Sequence, residues 1–182
     1  MEIKTFYFNP YRECTYIIYE EGHPEAIIID CGAYSEREQD RVKGFIQKQT
    51  LVPVAHLITH AHPDHICGAD FIEQEYKLKP QMHLPEGTLD LPQFPHTHIA
   101  VIATPGHKED CVCFYLPQEN ILFSGDTLFQ EAIGRTDLAG GDMPTLIRSL
   151  KKLAELPDET KVYPGHGYTT TIAHEKEYNP YF

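Results

Sequence analysis

The stretch Val54-Ala-His-Leu-Ile-Thr59, which runs directly into His60-Ala-His-Pro-Asp-His65, decides how the chain is read. Its first six residues form a mostly apolar block of strand length, and a short block of that kind closed by a turn signal reads as a buried strand. Its last six residues hold four metal-donor side chains. His60 and His62 are two apart in an extended segment, so they project to the same side and can grip one cation. Asp64 and His65 begin a helix expected from about Asp64 to Tyr76, and the change of backbone direction swings them toward a second point. Imidazole suits zinc or iron, and a carboxylate adds the charge and bridging capacity of a two-metal centre.

Working outward, Ile3 to Phe8, Cys14 to Tyr19 and Ala26 to Asp30 read as strands, with turns at Asn9-Pro10 and Glu21-Gly22. Ser35 is a candidate N-cap for a helix that places Val42, Phe45 and Ile46 on one face. Downstream, Gln81 to Leu84, Ile99 to Ala103, Val112 to Leu116 and Ile121 to Ser124 read as strands, with Leu89 to Pro95 a loop. A helix from about Pro144 to Glu155 stacks Leu146, Ile147, Leu150 and Leu153. A short strand, Lys161 to Tyr163, and a helix after Thr171 complete the pattern. Strand blocks interrupted by helices in both halves, without a linker or repeat, indicate one layered α/β domain over residues 1–182.

Further donors recur at strand ends. Ile102-Ala-Thr-Pro-Gly-His107 closes a strand with a Pro-Gly turn that presents His107, Ile121-Leu-Phe-Ser-Gly-Asp126 closes another in Asp126, and Val162-Tyr-Pro-Gly-His166 repeats the Pro-Gly-His device. A single loop histidine is ordinarily surface decoration; three further donors, each closing an apolar strand, point to one centre. The other histidines are read blandly. His56 is expected to be partly buried and hydrogen-bonded within its strand, and His23, His83 and His174 to lie near the surface. His96-Thr-His98 has no acidic neighbour and is not taken as a metal site.

Composition narrows the function classes. Fifteen Lys and Arg against 27 Asp and Glu leave a formal charge of -12, which disfavours nucleic acid or an anionic membrane surface as partner. No apolar stretch approaches the ~20 residues of a membrane helix, and Met1 to Phe8 reads as a strand rather than a signal peptide. Five cysteines without paired spacing suit a reducing cytoplasm, with Cys111 and Cys113 as core residues. The expected partner is a small molecule, and nothing in the sequence sets an oligomeric state.

At these residues the chain resembles the metallo-β-lactamase superfamily. Thr59-His-Ala-His-Pro-Asp-His65, then His107, Asp126 and His166 in order, match that superfamily's ligand set. Ser124-Gly-Asp-Thr-Leu-Phe129, Gly134-Arg-Thr-Asp-Leu138, Tyr163-Pro-Gly-His-Gly167 and Asn179-Pro-Tyr-Phe182 resemble the short glyoxalase II-like, or hydroxyacylglutathione-hydrolase-like, branch. The resemblance implies an αββα sandwich with metals at one edge of two sheets. It also implies that His60, His62 and His107 hold one metal, that Asp64, His65 and His166 hold the other, and that Asp126 bridges them. Arg135, Thr136 and Asp137 are expected to support these ligands. Where the family often has Gly-Gly two residues past the motif this chain has Cys67-Gly68, and Cys67 reads as a packing residue. Full-length glyoxalase II enzymes carry a C-terminal helical extension with much of the glutathione-binding surface, and this sequence stops before it.

The expected activity is hydrolysis of a small thioester of the S-lactoylglutathione type by metal-bound hydroxide. Two divalent ions per chain, zinc first with iron or manganese as alternatives, would sit roughly 3.5 Å apart, and Asp64 would act as the base. Two other classes compete. Persulfide dioxygenases resemble the chain in length and in the Gly-Arg-Thr-Asp segment and use one iron at the positions of His60, His107 and Asp126; their last ligand motif typically reads Pro-Ala-His-Asp, whereas this chain has Pro164-Gly-His-Gly167. The third class is a binding or scaffold domain that retains the ligands for folding alone.

Overall fold

A computed structural model describes residues 1–95 and 97–182; His96 of the His96-Thr-His98 pair lies outside them. The chain divides into two compact units, one built on Met1–Met82 with residues 91–95 and one on His83–Asp90 with Thr97–Phe182.

In the first unit, β1 (Glu2–Phe8), β2 (Glu13–Tyr19), β3 (Glu25–Ile29), β4 (Val52–Leu57) and β5 (Pro80–Gln81) form one sheet in sequence order. β1, β2 and β3 are antiparallel neighbours, whereas β3, β4 and β5 run parallel. A parallel pair needs a crossover. It is supplied between β3 and β4 by α1 (Glu36–Gln49), and between β4 and β5 by α2 (Pro63–Ile66) and α3 (Ala69–Tyr76). α1 starts as expected at Ser35, whose hydroxyl accepts the Glu38 N–H while Glu38 accepts the Ser35 N–H, a reciprocal cap. Its buried stripe, Val42 and Ile46, packs with Phe6, Phe8, Ile17 and Ile28.

The second unit holds β6 (Gly87–Leu89), β7 (Ile99–Ala103), β8 (Val112–Leu116), β9 (Ile121–Gly125), β12 (Lys161–Pro164) and β13 (Thr170–Thr171), in the order β13-β12-β9-β8-β7-β6. A separate hairpin, β10 (Leu128–Phe129) with β11 (Ala132–Ile133), precedes α4 (Met143–Leu153), and α5 (Ile172–Tyr178) follows β13. β9 and β12 are parallel, with α4 in their crossover. α4 is capped by the Asp142 side chain, and Leu146, Leu150 and Leu153 form its buried stripe beside Cys113, Leu122 and Val162. Cys111 and Cys113 are buried, as expected of core thiols.

The structure corrects several sequence expectations. The helix expected from Asp64 to Tyr76 is broken into α2 and α3, because Gly68 donates its N–H to the Cys31 carbonyl at 2.8 Å and a Cβ there would lie 2.4 Å from Cys31 Sγ. That docking bends the chain and requires glycine. Cys67 is exposed rather than packed. The strand expected over Gln81 to Leu84 ends at Gln81, and His83 turns left-handed at φ 55°. β6 takes in Leu89 at the start of the expected loop, and the two-residue strands β10, β11 and β13 are too short for a periodic signal.

His56 is fully buried, and among the described residues neither ring nitrogen has a hydrogen-bond partner. Burial pushes it down to about 4 against the opposing pull of Asp30. The folded chain thus keeps this imidazole neutral where an unfolded one, near pH 6.5, takes up a proton. Its contribution to stability is intact above pH ~6.5 and is lost as the pH falls from there toward 4, a loss on the order of 3 kcal/mol. In urea titrations over that window, His56→Gln should show a shallower decline with pH than the wild type; equal slopes would contradict this reading.

Candidate metal-binding site

In the first unit the donors collect where β3 and β4 end side by side. Asp30 follows β3 at φ 55°, and its carboxylate gathers three donors. Oδ1 accepts the Thr59 N–H at 2.7 Å, and Oδ2 accepts the Thr59 hydroxyl at 2.8 Å and His65 Nδ1 at 2.9 Å. The Thr59 hydroxyl, having donated to Asp30, accepts from His60 Nδ1 at 3.1 Å. One buried carboxylate therefore assigns the same tautomer to two histidines, with the proton on Nδ1 and the lone pair on Nε2. His60 Nε2 converges on His62 Nδ1 at 3.1 Å, and His65 Nε2 faces Asp64 Oδ2 at 3.8 Å. Two ligands at Zn–N distances around a tetrahedral ion stand about 3.3 Å apart. Both pairs have nearly that separation, and a cation suits two converging lone pairs.

Behind His65 lies Glu13, fully buried, whose carboxyl accepts the Thr15 hydroxyl at 2.8 Å and the Gly32 N–H at 3.1 Å. Burial pushes it well above the usual carboxylate range, and His65 pulls the other way. A Cβ on Gly32 would meet Glu13 Oε2 at 2.2 Å, Asn9 Nδ2 at 2.6 Å and the Asp64 carbonyl at 2.7 Å, so only glycine lets these groups converge.

The second unit repeats the arrangement at the ends of β7, β9 and β12. Asp126 and His166 follow parallel neighbours, with the Gly165 N–H donating to the Gly125 carbonyl at 2.8 Å. One oxygen of Asp126, Oδ2, lies 3.5 Å from His107 Nε2 and 3.5 Å from His166 Nε2. A carboxylate set between two imidazoles in this way can bridge two cations. His107 donates Nδ1–H to the Arg135 carbonyl at 2.7 Å, which again turns Nε2 into the donor atom.

This contact accounts for part of the Gly134-Arg-Thr-Asp segment. A Cβ on Gly134 would stand 1.9 Å from the Asp126 carbonyl and 3.0 Å from His107, so this backbone passes directly against both residues. Arg135 serves His107 with its carbonyl; its guanidinium makes an exposed two-pronged pair with Asp137, at 2.7 Å on each prong, which holds that carboxyl down to about 2. Thr136 presents its carbonyl to Gly141. Sequence reasoning missed Asp30, Glu13 and Asn9. Asp30 had a readable signal, since Ile27-Ile-Ile-Asp30 ends an apolar strand in an acid just as Asp126 does.

The model of the metallo-beta-lactamase superfamily matches residues 12–96 and 87–166. A probable metallo-hydrolase, YqgX, of Bacillus subtilis is 33% identical over 86% of this chain and 87% of its own. A hydroxyacylglutathione hydrolase of Francisella philomiragia is 34% identical over 92% of this chain and 68% of its own. Among solved structures, BLEG-1 B3 metallo-beta-lactamase superposes with a TM-score of 0.91 at 30% identity, covering 99% of each chain. TTHA1623 in a di-iron-bound form has a TM-score of 0.86 at 30% identity, covering 98% of this chain and 100% of that one. ETHE1 from Myxococcus xanthus also has a TM-score of 0.86, at 28% identity, covering 99% of this chain and 84% of that one. The mixed α/β architecture is thus that of metallo-beta-lactamase folds.

Asp30→Asn tests the tautomer control. All three partners of Asp30 are donors, so the amide must turn its NH2 against one of them. Affinity for Zn(II), measured by competition with a chromophoric chelator, should fall by about 10- to 100-fold. Unchanged affinity would show that the two histidines do not depend on Asp30.

Proposed function

This chain belongs to the metallo-beta-lactamase superfamily, and from that membership and the donor geometry we propose that it is a binuclear metallohydrolase that cleaves small thioesters of the hydroxyacylglutathione type. The observation that carries the proposal is Asp126 Oδ2, equidistant at 3.5 Å from the Nε2 atoms of His107 and His166. A carboxylate oxygen placed between two imidazole nitrogens supports a position shared by two ions. In this reading His60, His62 and His107 would hold one ion, Asp64, His65 and His166 would hold the other, and Asp126 would serve both. The donor set of imidazoles and carboxylates suits zinc first, with iron or manganese as alternatives. The hydroxyacylglutathione hydrolase relative supports the thioester, and the di-iron form of TTHA1623 supports two ions.

Two divalent ions held there would supply an activated water and a polarised carbonyl. The protein's share is orientation and proton handling. Asp64 turns Oδ2 toward His65 Nε2, and we assign its Oδ1 to orient the attacking water and take its proton. Asp30, directly at His65 and through Thr59 at His60, keeps the imidazole protons on Nδ1. The leaving group of a thioester is a thiolate, whose conjugate acid ionises near pH ~8.5. Its departure needs no proton donor from the chain, and no covalent acyl-enzyme is required. We place the activity in the cytoplasm: all five cysteines are free, and among the described residues no helix is long and apolar enough to cross a membrane.

Asp64→Asn keeps the size of the side chain and removes the charge. Turnover on S-lactoylglutathione should fall by at least ~100-fold, while Zn(II) binding at His60, His62 and His107 persists. Near wild-type turnover would reduce Asp64 to a structural role.

The ETHE1 likeness and the Gly134-Arg-Thr-Asp137 segment favour a second reading, a mononuclear iron persulfide dioxygenase. Iron-loaded and zinc-loaded protein should each be assayed on S-lactoylglutathione and on glutathione persulfide. The hydrolase reading predicts thioester cleavage in the zinc form. Persulfide-dependent oxygen uptake in the iron form, with no thioester cleavage in either, would replace it with the dioxygenase.

A further inference from the structure

The turn between β1 and β2 contains an asparagine whose bonding is unusually complete. Asn9 sits at φ 49°, in the left-handed region that asparagine tolerates better than most residues. Its Nδ2 donates to the carbonyl of Asp64 at 3.0 Å and to the carbonyl of Gly32 at 3.2 Å. Its Oδ1 accepts the Tyr11 N–H at 3.0 Å, and its own N–H donates to Glu38 Oε1 at 2.8 Å. Glu38 completes the reciprocal cap of α1 with Ser35. The turn is thus anchored from behind by a helix cap, and its one side-chain amide reaches across the glycine at position 32 to the backbone of Asp64.

That reach matters because α2 is four residues long. A single helical turn fixes many dihedrals for very few internal hydrogen bonds and does not hold itself. Two of its residues, Asp64 and His65, carry donor side chains, and each is pinned by its carbonyl from outside the helix. Asn9 Nδ2 holds Asp64, and the Cys31 N–H holds the His65 carbonyl at 2.8 Å. The Cys31 contact is main chain and survives most substitutions there; the Asn9 contact depends on one amide group.

We propose that Asn9 is a positioning residue for the Asp64–His65 half of the metal site, selecting the geometry in which Asp64 and His65 present their donor atoms together. This rests on the two-metal reading above. It predicts an effect confined to one metal, because His60 and His62 precede α2, His60 is oriented through Thr59 and Asp30, and His62 Nδ1 faces His60 Nε2.

The test is Asn9→Gly, which keeps the left-handed backbone and removes the amide, with Asn9→Asp as a second variant that keeps the side-chain shape and sets a carboxylate oxygen against two carbonyls. Apo proteins are titrated with Zn(II) against a chromophoric chelator, and apo thermal unfolding is measured beside them. The wild type is expected to take up two equivalents. Either folded variant should bind the second equivalent at least ~10-fold more weakly, the scale for groups that orient ligands, with the first equivalent unchanged. In thioester hydrolysis kcat should fall while KM stays within about two-fold. A variant that loses thermal stability yet binds both equivalents like the wild type has lost only scaffold, and the inference is overturned; so too if both equivalents weaken alike. A wild type that takes up one equivalent overturns the two-metal reading instead, and with it the premise of this inference.

Discussion

The carboxylate of Asp30 is the constraint on which the candidate site depends. It is buried, it follows the end of β3, and it accepts from Thr59 twice and from His65 once. A buried carboxylate surrounded by donors is stabilised only while every one of them stays in place, so the contacts fix one another. They join the ends of two parallel strands to a one-turn helix 35 residues further along the chain. They also decide where two imidazole protons reside, which makes the same group both a structural tie and a determinant of ligand chemistry.

Glycine works in a consistent way in both units. At Gly32, Gly68 and Gly134 a Cβ would strike a neighbouring group at 2.2, 2.4 and 1.9 Å, and all three positions lie against a segment that carries candidate donors or its support. The backbone comes so close to its neighbours there that side chains on either side, rather than at the glycine itself, define the site. Rigid strand ends hold the donors, and short loops between them are held by single hydrogen bonds such as His107 to Arg135. Donors preorganised in this way would lose little order on binding a cation.

Much of this is legible in the sequence, for a definite reason. His60, His107, Asp126 and His166 each follow an apolar strand block, and apolar periodicity is a local signal. The capped helix at Ser35 and the buried stripe of α4 are legible for the same reason. What escapes is non-local. Asn9 meets Gly32 and Asp64 at separations of 23 and 55 residues, and Asp30 meets Thr59 at 29, so no window of neighbouring residues contains the interaction. The break between α2 and α3 escapes likewise, since the apolar pattern runs on through Cys67-Gly68 and it is Cys31, far upstream, that bends the chain. His56 reads as an ordinary strand histidine and proves to be sealed in, with no hydrogen-bond partner among the described residues, a burial that only the assembled sheet determines.

The central claim is that these donors serve two ions through one shared carboxylate. Anomalous diffraction at the zinc edge, on crystals of fully loaded protein, tests it most directly. The account predicts two peaks per chain, about 3.5–4 Å apart, with Asp126 between them and both His65 and His166 liganded. A single fully occupied peak held by His60, His62, His107 and Asp126, with His65 and His166 turned away from it, would contradict the account.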